Sequence, residues 1–349
     1  MKKLWKGNEA IAEAAIAAGM RYFFGYPITP QNEIPEYLSW RLPDIGGTFI
    51  QAESEVAAIN MVYGAGGAGG RTMTSSSSPG ISLKQEGISY LAGAEVPCVI
   101  VNIMRAGPGL GGIQPAQGDY FQAVKGGGHG DYHSMVYAPC SVQEFVDKTI
   151  LAFDKADEYR NPVMLIGDGM LGQMMEAAEI PPMRDLASLP DKPWAAKGNT
   201  DYKQRLINSI KMNSDDLEAH NIQLAKKYED MKKDIEYEKY LTDDAEIVFA
   251  AYGSVARICK AAVVALRKDG VKAGLIRPIT LFPYPSEVIS AIAGQPCVKK
   301  FVTVELSMGQ MVEDVRLAVN GKRAVEFYGR TGGSVMMPAD LVRYVKEGK

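Results

Sequence analysis

Short apolar runs alternate with longer segments of helical composition through the first half of the chain. Residues 21–25 (Arg-Tyr-Phe-Phe-Gly), 48–51, 71–75, 97–104, 135–137 and 163–166 read as strands, each apolar or β-branched and most of them stopped by Gly, Pro or Ser. The 48–51 strand reads as short and buried, and 97–104 is the most strongly apolar of the set. Between them, residues 9–18, 31–40, 55–66, 81–92 and 141–159 read as helices. The first is nearly all Ala, Ile and Glu and ends at Gly19, the second starts behind Pro30, and the last opens on Ser141 as a cap. This alternation predicts an α/β fold built on a doubly wound parallel sheet.

The pattern changes after residue 166. Residues 180–202 are rich in Pro, Asp and Lys and read as a linker. Residues 215–239 read as a charged helix whose Leu224, Tyr228, Met231 and Ile235 form one apolar stripe, suited to a strut between domains. From Asp244 onward, strands are expected at 246–252, 272–276, 301–305 and 324–327, with helices at 255–267, 285–293 and 311–319. The expected organisation is therefore a first domain over 1–180, a linker with its charged helix over 181–243, and a smaller α/β domain over 244–349. The Gly-rich stretch Gly329 to Gly333 reads as a turn or an interface loop.

Composition narrows the function classes. With 349 residues, 46% of them hydrophobic and 23% charged, the chain has material for two sizeable cores. A net charge of -3 with mixed signs leaves no concentrated basic face for nucleic acid. No uncharged apolar stretch of ~18 residues exists to span a membrane, and none of signal-peptide length follows the N-terminus, so a cytoplasmic protein is expected. Cys98, Cys140, Cys259 and Cys297 are far apart with no C-x-x-C pair, which excludes a local metal cluster and suggests buried or incidental thiols. His129 and His133 lie in a Gly-rich loop over 114–133 with no helix expected beside them, and a mobile loop is the expectation there rather than a metal site.

Candidate chemistry gathers where strands end, which in open α/β sheets is where ligands bind. Thr29 sits in Tyr26-Pro27-Ile28-Thr29-Pro30, held between two prolines just past the first strand. Glu53 and Glu55 lie at the junction between the 48–51 strand and its helix, placed either for chemistry or as favourable charges in a first helical turn. Four hydroxyls, Ser75 to Ser78, followed by Pro79-Gly80, could cap a helix or meet a polar ligand. The 97–104 strand delivers Arg105 into the loop Ala106-Gly107-Pro108-Gly109-Leu110-Gly111-Gly112, a planar charged fork suited to a carboxylate-bearing substrate.

Taken together and in order, Tyr26-Pro27-Ile28-Thr29-Pro30, Ser54-Glu55-Val56-Ala57-Ala58, Ser75 to Gly80 and Met104-Arg105-Ala106-Gly107 resemble the pyrimidine-binding, alpha-type subunit of the 2-oxoacid:ferredoxin oxidoreductases over essentially the whole chain. The run from Gly107 to Gln117 is closest to the branched-chain, 2-oxoisovalerate type. The resemblance implies a thiamine-diphosphate-binding fold of the Pyr type followed by a transketolase C-terminal-like domain. It implies oxidative decarboxylation of a branched-chain 2-oxoacid to acyl-CoA and carbon dioxide, with ferredoxin and coenzyme A as co-substrates. The family's carboxyl on the pyrimidine N1′ falls on Glu55 rather than Glu53, because the Ser-Glu-x-Ala-Ala pattern starts at Ser54. Pro27, Ile28 and Ser78 fall around the pyrimidine, and Thr29, Arg105 and Gly107 at the substrate.

Gly167-Asp168-Gly169, with Asn199 some distance on, imitates the magnesium and diphosphate signature of thiamine enzymes. Pro181, Pro182, Pro190 and Pro193 stand between, so a domain-ending turn is expected instead. The diphosphate with its Mg2+ then falls to a β-type partner subunit, and the 4Fe-4S cluster to an iron–sulfur partner subunit. Competing readings are a pyruvate- or 2-oxoglutarate-type subunit, a thiamine-dependent dehydrogenase β subunit, and a non-catalytic scaffold.

Overall fold

The structure is a computed structural model that describes residues 2–198 and 204–348; Asn199 lies outside the described residues. Seven strands form the larger sheet, in the spatial order Thr280–Phe282, Met135–Tyr137, Pro162–Asp168, Cys98–Met104, Thr72–Ser76, Tyr22–Gly25 and Thr48–Gln51. The six strands from the first half of the chain are parallel. Cys98–Met104 and Pro162–Asp168 pair over their full length at the centre and are buried throughout, as apolar runs covered by helices on both faces must be.

Thr48–Gln51 is an edge strand, not a buried one: among the described residues only Tyr22–Gly25 pairs with it, and Ile50 is 39% exposed. A strand with one open side cannot be buried by its own sheet. A small ribbon that sequence reading did not expect pairs Lys3–Lys6 antiparallel with Met175–Ala178.

The second sheet runs Ala324–Gly329, Lys300–Glu305, Ile247–Ala250, Ala273–Pro278 and Tyr237–Tyr240, the last antiparallel. The charged helix is correspondingly shorter than expected. It spans Ser214–Asp230, passes through a single tight turn at Met231–Asp234, and then extends so that Tyr237–Tyr240 can pair with Ala273–Pro278. Leu224, Tyr228 and Met231 are buried in the larger core, while Ile235 has already left the helical path. Two strands cross between the units: Tyr237–Tyr240, at the end of the linker, closes the second sheet, and Thr280–Phe282 of the second domain joins the first. A terminal helix, Pro338–Glu347, completes the second domain.

Two loops are more structured than the sequence suggests. The 114–133 segment contains a short helix, Tyr120–Val124, held from the second domain by Tyr120 Oη donating to Asp314 Oδ2 at 2.6 Å and by Gln310 Oε1 accepting from Phe121 N at 2.8 Å. His133 stacks on Phe282 at 4.0 Å, and His129 is exposed. Asp168 is more than a domain-ending turn. It caps the helix Gly169–Gln173 by accepting from Met170 N and Leu171 N, and its other oxygen accepts the Ser254 hydroxyl, so the end of the first sheet is bolted to the second domain. Burial pushes the Asp168 carboxyl up, against these hydrogen bonds.

Among the described residues, no three His, Cys, Asp or Glu side chains gather as a metal-binding group, and no helix is long and apolar enough to cross a membrane. Cys98 and Cys259 are buried and burial pushes their thiols up; Cys140 is pushed up to about 11 for the same reason.

Candidate active site

Ser54 takes an extended conformation and its hydroxyl accepts from Ala57 N at 3.1 Å, so Glu55 opens the helix Glu55–Gly67. Glu53, two residues earlier, is exposed, whereas Glu55 is only 6% exposed. No group among the described residues hydrogen-bonds the Glu55 carboxyl. Its wall is Gly80, in the first turn of the helix Ser78–Gly93. A Cβ on Gly80 would stand 2.6 Å from Glu55 Oε1 and closer still to Ser76 Oγ, so only glycine lets this helix approach the carboxyl.

The serine run divides its labour. Ser75 Oγ donates to Gln31 Oε1 at 2.5 Å, while the buried hydroxyls of Ser76 and Ser77 have no partner among the described residues. Ser78 is fully committed: its N donates to Asn102 Oδ1 at 3.1 Å, and its hydroxyl donates to Asp119 Oδ2 at 2.6 Å and accepts from Arg105 N at 3.0 Å. Asn102 Nδ2 donates to the same Asp119 oxygen at 2.8 Å. Burial pushes the Asp119 carboxyl up, and the bonds from Ser78 and Asn102 act against that rise.

Arg105 is buried rather than reaching into open space. Its Nη1 donates to the Thr29 carbonyl and its Nη2 to the Leu110 carbonyl, both at 3.0 Å, which ties the proline-flanked loop to the Gly-rich loop. Its Nε–H is buried and has no partner among the described residues. Thr29 and Pro27 are exposed and Ile28 half-buried. A Cβ on Gly107 would meet nothing within 4 Å. Ser78, Gly107, Asp119, Leu306 and Met308 line an interdomain cleft of about 350 Å³. Thr29, Ile113, Gln114 and Gly169 line a separate cleft of about 550 Å³, formed by the first domain alone. The structure thus joins Arg105 directly to Thr29 and Ser78, and Glu55 to this group through the 76–80 turn.

Gly80, Asn102 and Gln117 organise these loops; sequence reasoning named Gly80 and Gln117 only within longer runs and did not single out Asn102. Asn102 did leave a signal, a polar residue inside the most apolar strand. Gln117 is fully buried and clamps the loop to the second domain. Its N donates to Leu306 O at 2.8 Å, its Oε1 accepts from Leu306 N at 3.0 Å, and its Nε2 donates to Tyr252 O at 3.1 Å. Gly333 presses on Gln114 beside it, so the Gly-rich 329–333 segment meets the site loop as an interface. Gln117→Ala leaves the buried Leu306 N–H without its partner and the Tyr252 carbonyl with only the longer bond from Ala256 N. A loss of about 2–4 kcal/mol is expected, read as a lower urea midpoint; an unchanged midpoint would show that the clamp carries no stability.

Known proteins share this arrangement. The family model described as "Pyruvate flavodoxin/ferredoxin oxidoreductase, thiamine diP-bdg" matches residues 13–241, and "Pyruvate:ferredoxin oxidoreductase core domain II" matches 245–341. The ketoisovalerate oxidoreductase subunit VorB of Methanothermobacter thermautotrophicus is 52% identical over 98% of this chain and 96% of its own. The 2-oxoglutarate synthase subunit KorA of Methanocaldococcus jannaschii is 36% identical over 97% of this chain and 98% of its own. The 2-oxoglutarate:ferredoxin oxidoreductase of Magnetococcus marinus, solved with 2-oxoglutarate, coenzyme A and succinyl-CoA bound, superposes with a TM-score of 0.83 at 25% identity. That match covers 99% of this chain, which spans only 65% of the longer one. A split-gene transketolase, at 12% identity and a TM-score of 0.56 over 98% of this chain and 97% of its own, shares the fold. With a thiamine-diphosphate-binding domain over most of its length and core domain II after it, the chain belongs to the pyruvate flavodoxin/ferredoxin oxidoreductase family.

Proposed function

We propose that this chain is the pyrimidine-holding subunit of a cytoplasmic branched-chain 2-oxoacid:ferredoxin oxidoreductase, with residues 1–180 forming the pyrimidine side and 244–349 backing the substrate loop. The observation that carries the reading is Glu55, only 6% exposed, whose carboxyl has no hydrogen-bond partner among the described residues and is walled by a glycine. A buried carboxyl with no internal partner fits a group that brings its own hydrogen-bonding nitrogen. The pyrimidine end of thiamine diphosphate is such a group, and when bound the cofactor supplies the electron sink for decarboxylation.

Glu55 holds the pyrimidine ring nitrogen and shares its proton. Gly80 keeps the space beside that carboxyl free. Pro27 and Ile28 flank the ring, and Ser78 fixes the start of the helix that carries Gly80. The Thr29 hydroxyl, the unpartnered Nε–H of Arg105 and the open backbone at Gly107 face the 2-oxoacid. Arg105 orients the substrate carboxylate without gripping it through both arms, since that group leaves as carbon dioxide. Diphosphate, Mg2+ and the 4Fe-4S cluster are assigned to a β-type and an iron–sulfur partner subunit, with coenzyme A and ferredoxin as co-substrates. Val56, Leu110 and Ile113 are exposed apolar side chains suited to contact with the β-type subunit.

The greater identity to ketoisovalerate than to 2-oxoglutarate subunits, 52% against 36%, favours a branched-chain substrate. The Gly107–Gly112 loop, which has no cation for a second carboxylate, favours it as well. A panel of 2-oxoacids on the co-expressed complex tests the reading. 3-Methyl-2-oxobutanoate should give the highest kcat/KM, with pyruvate lower by about 10-fold or more and viologen, not lipoamide, accepting the electrons. Preference for 2-oxoglutarate would overturn the substrate, and viologen reduction by the isolated chain would overturn the division between subunits.

A further inference from the structure

Lys84 lies one helical turn after Gly80 on Ser78–Gly93 and is wholly buried, yet nothing in the roles above uses it. Its Nζ donates to Thr74 Oγ1 at 3.0 Å, on the neighbouring strand Thr72–Ser76. Among the described residues no carboxylate stands within ion-pair distance of it. A buried ammonium is costly to leave without a counter-charge. Residues i and i+4 share a helix face, and helical side chains lean back over the preceding turn, so the Lys84 stem runs toward Gly80, where the Glu55 carboxyl sits. Of the elements packed around Lys84, Glu55–Gly67 contributes the acting charge, Glu55, and the adjacent strand contributes only the Thr74 hydroxyl.

We propose that Lys84 is a positioning residue for Glu55: its buried ammonium, anchored on Thr74, is the counter-charge that holds the Glu55 carboxyl aimed at the pyrimidine nitrogen. The inference rests on the role given to Glu55 above. Burial pushes the Lys84 ammonium down to about 8, with Glu55 acting the other way, so the counter-charge is present at neutral pH and lost as pH rises through that value. Lys84 touches neither cofactor nor substrate, and acts only through Glu55.

Two measurements test it. In the co-expressed complex, kcat/KM should fall above about pH 8 in the wild type. Lys84→Arg, charged throughout, should keep most of the activity and lose this alkaline limb. Lys84→Met should lower activity by up to about 10²-fold and lose the limb as well. An alkaline limb unchanged in both variants would overturn the proposal.

Thermal unfolding of the purified full chain, which needs no cofactor, gives the second readout. Glu55→Gln should lower Tm in the wild-type background, where it strands the Lys84 ammonium, and change it little in the Lys84→Met background; an equal loss in both backgrounds would overturn the coupling. If Lys84→Met does not fold, Lys84→Gln enters the same cycle. Full turnover by Glu55→Gln complexes would instead overturn the function itself, so the two failures are distinguishable.

Discussion

Glu55→Gln in the assembled complex is expected to cut 2-oxoacid-dependent viologen reduction by about 10²–10⁴-fold, the usual span for removing a positioned proton-sharing group. The substitution keeps the volume at the Gly80 wall and still offers a hydrogen bond, so what disappears is the carboxyl's capacity to share a proton. Ser54 still caps the helix through Ala57 N, which leaves the local backbone without cause to move. Glu53→Gln serves as the control two residues away: that side chain is exposed, and its variant should match the wild type. Size-exclusion chromatography should show intact complexes in both cases. A loss below tenfold in Glu55→Gln, with assembly intact, would return Glu55 to a helix charge and the chain to a scaffold.

The contrast between these two glutamates shows where sequence reading stops. Both stand at the same strand-to-helix junction and both could be first-turn charges; the Ser-Glu-x-Ala-Ala register favours Glu55, but the reason that one is buried and the other exposed lies in Gly80, distant in sequence and pressed against the carboxyl by the fold. The parallel strands were legible because each is an apolar run closed by a breaker, and the helix opening on Ser141 because the cap is local: Ser141 Oγ accepts from Glu144 N at 3.1 Å. Tyr237–Tyr240 and Thr280–Phe282 were not, because their extended conformation comes from partners far away in the chain rather than from their own residues. Asp168 misled for a related reason. Its neighbours look like a turn, but its partners are two amides of the next helix and a serine of the other domain.

Arg105→Met is expected to lower kcat/KM for the 2-oxoacid by about 10²–10³-fold, through two losses that arise together. The guanidinium holds Thr29 O and Leu110 O at 3.0 Å each, and the thioether holds neither, so both loops lose their tie and two carbonyls lose their donor. Hydrogen bonds from a charged donor are worth about 1.5–3 kcal/mol each, which makes this range a conservative one. The same change removes the buried Nε–H, on the one guanidinium nitrogen that has no hydrogen-bond partner among the described residues. Arg105→Lys separates the fork from the charge: an ammonium at the end of a flexible stem cannot serve two carbonyls on opposite loops and a substrate at once. It should therefore recover little of the loss, with a raised KM marking the missing contact to the carboxylate and a lowered kcat the loosened Thr29 loop. Wild-type kinetics in Arg105→Lys would mean that charge alone suffices, and that the two-loop fork has no part in placing the substrate.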